Sequence, residues 1–169
     1  MSADRGLPAF DDVIGPLIKR GYALAITMLN DRTTAEDAVQ EASIKAWRKL
    51  PSLRERSAIE PWFLSIVANQ CRSIRRNRWW SVLKVPELRE KSSPQDRRAD
   101  ALDLEHALDR LSPEERLVLL LHFHMDMTFE QVGRVVGISM TAARSRIYRA
   151  LDRLRAELKP EEAFDHGQA

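Results

Sequence analysis

Arginine is the residue type that most sharply limits the chemistry open to this chain. Arg144, Arg146, Arg149, Arg153 and Arg155 are crowded between Met140 and Leu158. A guanidinium stays charged at neutral pH, and its planar fork pairs with phosphate oxygens or with a guanine edge. Ala143, Ile147, Ala150, Leu151, Leu154 and Leu158 recur at helical spacing through the same stretch, so the arginines fall mostly off the apolar face. Upstream, Val132, Val135 and Val136 give a shorter helix its own apolar face. Gly137 can take a left-handed turn without a Cβ clash, and Ser139 can cap the helix that follows. Two short helices joined by a glycine turn, the second basic, make a helix-turn-helix, whose ligand class is DNA.

A second basic block, Arg72, Arg75, Arg76, Arg78 and Lys84, lies earlier in the chain. Between the two blocks, Glu87 to Glu115 holds nine acidic residues against five basic ones. The formal charge of +2 is therefore uninformative, whereas its distribution points to two nucleic-acid contacts. No Gly-rich phosphate loop, Ser-His-Asp set or paired carboxylates can be placed in one pocket, so catalysis by this chain is not expected. His122 and His124 straddle Phe123, but Cys71 and His106 are not at metal-site spacing, and neither a metal nor a cofactor is expected. Cys71 is the single cysteine, which excludes an intrachain disulfide, and no apolar run approaches membrane-spanning length. With no signal-peptide pattern at the N-terminus, a cytoplasmic protein without membrane insertion is expected.

The elements that must position these residues read as helices throughout, since apolar residues return every three or four positions and no alternation is sustained. The first helix is expected from about Pro8 to Leu29. Thr34 with Asp37 suggests a capping box opening a second, which ends before Pro51. Its core side would be Ala38, Val39, Ala42, Ala46 and Trp47. A polar loop, Ser52 to Glu60, then leads to a helix beginning at Pro61, with Phe63, Ile66, Val67, Gln70 and Ile74 inward and Asn69, Arg72 and Arg76 outward. Trp62 is assigned to the core. Pro86, Pro94 and Ser92-Ser93 mark an aperiodic linker. Ser112 with Glu115 and Thr128 with Gln131 read as capping boxes opening later helices. The fold class is all-α: two small helical domains joined by a flexible linker, the second carrying the helix-turn-helix.

Ala35 to Leu50 (AEDAVQEASIKAWRKL) and Pro61 to Trp79 (PWFLSIVANQCRSIRRNRW), taken with the helix-turn-helix, resemble the extracytoplasmic-function (group IV) sigma factors over roughly residues 10 to 158. The resemblance implies a region 2 type domain over 1–80, a linker over 81–98, a region 4 type domain over 99–160 and a tail over 161–169. It implies a factor that binds core RNA polymerase, recognises the −10 and −35 promoter elements and promotes strand opening, with promoter DNA and an anti-sigma factor as further partners. Asp37, Gln40, Glu41, Lys45 and Arg48 lie where such factors dock on the polymerase clamp helices. Asn69, Arg72, Arg75, Arg76 and Arg78 lie at the −10 contact, and Ser52 to Glu60 where a base is captured out of the stack. Trp79 and Trp80, next to Arg78, could supply a stacking surface, but adjacent tryptophans more often contribute buried area, which would make them anchor the linker or complete the first core. Thr141, Ala142, Arg144, Ser145, Arg146 and Arg149 occupy the −35 recognition positions. The chain departs from the family's frequent Gly-Thr-Val-Lys-Ser-Arg at Thr141 to Arg146, and has Ser73 where an Asp often follows the helix-three arginine.

Linker length agrees with this reading. About 18 residues at roughly 3.3–3.6 Å each reach about 60 Å, close to the span of elements about 17 base pairs apart. As a random coil the linker would average only about 25 Å, so it must be drawn out on the polymerase, while the free protein can sit compact. Two rival readings remain: a stand-alone helix-turn-helix regulator, which gives residues 34 to 80 no purpose, and a polymerase or anti-sigma interaction module that does not read promoters.

Overall fold

The structure, a computed structural model, describes residues 10–82 and 99–158. The linker and tail expected at 81–98 and 161–169 lie essentially outside the described residues, as do the side chains of Trp79 and Trp80. Seven α-helices form the described part: α1 (Phe10–Leu29), α2 (Arg32–Lys49), α3 (Ile59–Val82), α4 (Ala99–Asp109), α5 (Pro113–Leu119), α6 (Phe129–Val136) and α7 (Met140–Leu158).

Helices α1, α2 and α3 pack mutually around Ile14, Leu24, Met28, Phe63, Leu64 and Val67. Burying Phe63 alone contributes about 1.5–3 kcal/mol. Four alanines, Ala35, Ala38, Ala42 and Ala46, form the inner side of α2 and let its axis approach its neighbours closely. Trp47 is not part of that core; it is 63% exposed. One residue past Ala46 is a rotation of about 100°, which carries the indole onto the outer arc. The start of α2 also differs from expectation. Asp31 is the N-cap, accepting from the backbone N–H of Thr34 at 2.8 Å, and Asn30 takes a left-handed φ of 51° before it. Thr34 sits inside the first turn because the stronger carboxylate acceptor lies three residues earlier. The stretch from Ser52 to Glu60 holds a 3-10 turn at Arg56–Ala58, and α3 begins at Ile59, two residues before Pro61.

In the second half the local signals decide the elements. Ser112 with Glu115 and Thr128 with Gln131 form reciprocal capping boxes. Gly137 closes α6 at φ 80°, and Ser139 accepts from the N–H of Ala142 at 3.2 Å to cap α7. A Cβ on Gly133 would lie 2.7 Å from the carbonyl oxygen of Ile138, so glycine is needed where the turn folds back on α6. Between α5 and α6 the chain widens into a π turn at Leu120–His124, where the Met125 N–H reaches the Leu120 carbonyl at 3.0 Å. The extra residue turns Phe123 and His124 outward while Met125 and Met127 enter the core.

The halves do not stand apart. Helix α3 packs against α6 and α1 against α5, and one apolar cluster runs from Ile14 to Ala150.

Candidate nucleic-acid and partner interfaces

The expected −35 residues come together on the outer side of α7. Thr141, Ala142, Arg144, Ser145 and Arg149 are exposed, while Ala143, Ile147 and Ala150 fix the opposite side of the helix in the core. Arg149 donates through Nε to the Ser145 carbonyl at 3.3 Å, leaving the outer guanidinium nitrogens toward solvent. Arg146 differs from its neighbours. It is half-buried at the edge of the core, and its charge reaches Glu114 at the start of α5.

The expected −10 residues divide into three environments along α3. Asn69 and Arg76 are exposed and Arg75 is half-buried. Arg78 turns back to the start of α2, donating to Thr34 Oγ1 at 2.5 Å with its guanidinium 3.7 Å from Asp31. The Asp31 carboxyl is held below its ordinary range by hydrogen bonds from Thr34, aided by the Arg78 charge.

Arg72 is committed across the two halves. Its Nε and Nη2 donate to Glu114 Oε1 and Oε2 at 2.9 and 3.0 Å, a bidentate fork, and Nη1 donates to Asn69 Oδ1 at 3.1 Å. Burial raises the Glu114 pKa, but the Arg72 hydrogen bonds and the charges of Arg72, Arg146 and Arg75 outweigh it and hold the carboxyl below its ordinary value. The same hydrogen bonds raise Arg72 above its usual range against the effect of burial. Arg20 adds a further tie, donating to the Met125 carbonyl at 2.7 Å while its Nε pairs with Glu60. Arg134 of α6 stands 3.9 Å from Glu55 in the loop before α3. Sequence reasoning placed Arg72 on an open outer stripe; spacing within α3 cannot reveal a carboxylate 42 residues away.

The expected polymerase-binding residues Asp37, Gln40, Glu41, Lys45 and Arg48 are all exposed on α2. Lys45 lies at the border and hydrogen-bonds Gln70 of α3. Ile44, 39% exposed, and Trp47 share the arc with Asp37, Gln40, Glu41 and Arg48. This apolar centre inside a polar rim is the anatomy of a protein interface. Sequence reasoning missed it by assigning Trp47 to the core. The alanine spacing 35, 38, 42, 46 was the signal that could have placed the indole outside.

Cys71 is fully buried, and burial pushes its thiol up to about 12. Among the described residues no helix is long and apolar enough to cross a membrane.

Comparison with known proteins agrees with this geometry. Residues 15–81 match the family model for sigma-70 region 2, and residues 107–156 match that for sigma-70 region 4. The RNA polymerase sigma factor SigV of Bacillus subtilis is 26% identical over 83% of this chain and 86% of its own length. The ECF RNA polymerase sigma factor EcfG of Rhodopseudomonas palustris is 28% identical over 93% of this chain and 88% of its own. Among solved structures, the sigma factor RpoE of Bartonella quintana, in complex with the anti-sigma factor NepR, superposes with a TM-score of 0.77 at 26% identity, covering 92% of this chain and 99% of that one.

Proposed function

The chain belongs to the sigma-70 family of RNA polymerase sigma factors, of the extracytoplasmic-function kind, and we propose from that premise how its three faces divide the work of transcription initiation. It acts in the cytoplasm, where its polymerase is, and contributes binding energy rather than covalent chemistry. The exposed arc of α2, centred on Trp47 and Ile44 and rimmed by Asp37, Gln40, Glu41, Lys45 and Arg48, docks on core RNA polymerase. Buried aromatic anchors carry most of the energy of such contacts, and the charged rim sets register.

Helix α7 enters the major groove of the −35 element. Arg144 and Arg149 read base edges there, Thr141 and Ser145 bind phosphate or base, and Ala142 allows close approach. Arg146, at the border of the core, approaches the backbone. On α3, Asn69, Arg72, Arg75 and Arg76 contact the −10 element, joined by Arg78 once it leaves Thr34 and Asp31, and the opened strand is held by backbone cations.

The self-packed arrangement is the resting form. Arg72 cannot hold Glu114 and a DNA strand together, so engagement of the −10 element requires the halves to part. A partner that covers both halves in the packed arrangement, as an anti-sigma factor would, keeps the factor off the promoter. The likeness to a sigma factor bound by its anti-sigma factor supports that reading.

The observation that carries the proposal is the pairing of a region 4 helix-turn-helix, its arginines outward, with a region 2 domain whose α2 presents an exposed indole. Co-migration tests it. The chain should bind core polymerase, and reversing charge at Glu41 and Lys45 should weaken that binding while leaving the fold intact. Specific binding to isolated duplex DNA, with no association with core, would sink it in favour of a stand-alone regulator.

A further inference from the structure

Arg144 does not stand free on α7. Its Cζ lies 6.0 Å from the centroid of the Phe129 ring and 5.8 Å from that of Tyr148. Phe129 is the first residue of α6, and Tyr148 follows Arg144 by one helical turn. The two rings are 6.2 Å apart and tilted by 46°. Behind Phe129, the His122 imidazole stacks at 4.7 Å and 24°, and its Nδ1 is 2.8 Å from the Met127 carbonyl oxygen. The π turn at Leu120–His124 brings His122 to that place. The stack is thus tied at its back to the main chain and open at its front, where the guanidinium lies.

A guanidinium is planar, weakly hydrated and drawn to aromatic faces, which makes ring stacking a means of orienting it. An unrestrained arginine loses rotamer freedom when it grips a base. One already held over two rings loses less. Tyr148, at 48% exposure, has no core to fill on its outer side. We propose that Phe129 and Tyr148 are positioning residues for Arg144, a cradle that pre-orients its guanidinium for base reading in the −35 element. This inference rests on the reading of α7 as the −35 helix.

The test uses holoenzyme reconstituted with core polymerase and a promoter on which it initiates, with every single base-pair substitution across the −35 element. Arg144→Ala first identifies the base pair at which preference is lost. Tyr148→Leu should reduce preference at that same base pair by about two- to fivefold, the range of an exposed cation–π contact. Tyr148→Phe keeps the ring and should retain the preference. In the Arg144→Ala background, Tyr148→Leu should change nothing further at that position. Phe129→Leu provides a second variant with the same expected pattern, and a thermal melt verifies that each chain is folded. Undiminished loss from Tyr148→Leu without Arg144, or equal loss on all promoter variants, would overturn the cradle, because the tyrosine would then act on DNA directly. If Arg144→Ala leaves every −35 preference unchanged, the inference fails while the reading of α7 stands on Arg149; if Arg149→Ala is silent as well, that reading fails too.

Discussion

Replacing Glu114 by Gln should loosen the packing of the two halves without unfolding either. Glutamine keeps the volume and one acceptor oxygen, so the apolar side of α5, where Leu117 and Val118 are buried, is preserved. What is lost is the charge and one arm of the fork to Arg72, whose two bonds measure 2.9 and 3.0 Å. Hydrogen bonds to charged groups contribute about 1.5–3 kcal/mol net. The side chains here are 27% and 30% exposed, so solvent screening brings the loss to about 1–2 kcal/mol. The ratio of packed to parted molecules should then fall by roughly 5- to 30-fold. Energy transfer between dyes on Lys49→Cys and Asp103→Cys, one in each half, reports that ratio. Cys71 does not interfere, since it is buried and its thiol is raised to about 12. A parted fraction unchanged by Glu114→Gln, in a chain that still melts cooperatively, would refute the idea that this pair holds the halves together.

Acid should act in the same direction. The packed form holds the Glu114 carboxyl below its ordinary 4.5, so its contribution is fully present above that value and is lost as pH falls through the lowered one; a transfer signal flat across that range, with the fold retained, would contradict this. Trp47→Ala should weaken binding to core polymerase by about 30-fold or more, the scale of an interface hot spot of about 2 kcal/mol. Because the indole is 63% exposed, thermal stability should move little, and a large fall in melting temperature with unchanged polymerase affinity would return Trp47 to a packing role. Gly137→Ala, at φ 80°, should cost about 1 kcal/mol or more in denaturant unfolding, and an unchanged midpoint would show that the α6–α7 turn tolerates a Cβ.

What was legible in the sequence was local. Ser112, Thr128 and Ser139 cap their helices, and Gly137 turns left-handed, because each such signal acts within about four residues. The outward set on α7 followed from the spacing of Ala143, Ile147 and Ala150. At the start of α2 the Asp31 carboxylate caps the helix, and Thr34, expected there, falls inside the first turn. Trp47, expected in the core, lies outside it because the alanines of α2 fill the inner side and helical phase, not residue type, sets its place. The 3-10 turn at Arg56–Ala58 and the π turn at Leu120–His124 carry no strong sequence signature. Pairings distant in sequence were beyond reach. Arg72 with Glu114, Arg20 with the Met125 carbonyl and Arg144 over Phe129 depend on how helices meet, which periodicity within one helix does not encode.

Transcription with purified core RNA polymerase tests the central claim most directly. Core supplied with this chain and with fragments of its own genome should initiate at discrete positions that share a −35 and a −10 element, and core alone should not. Starts at the same positions with and without the chain, or no initiation although the chain binds one of those fragments on its own, would contradict the account.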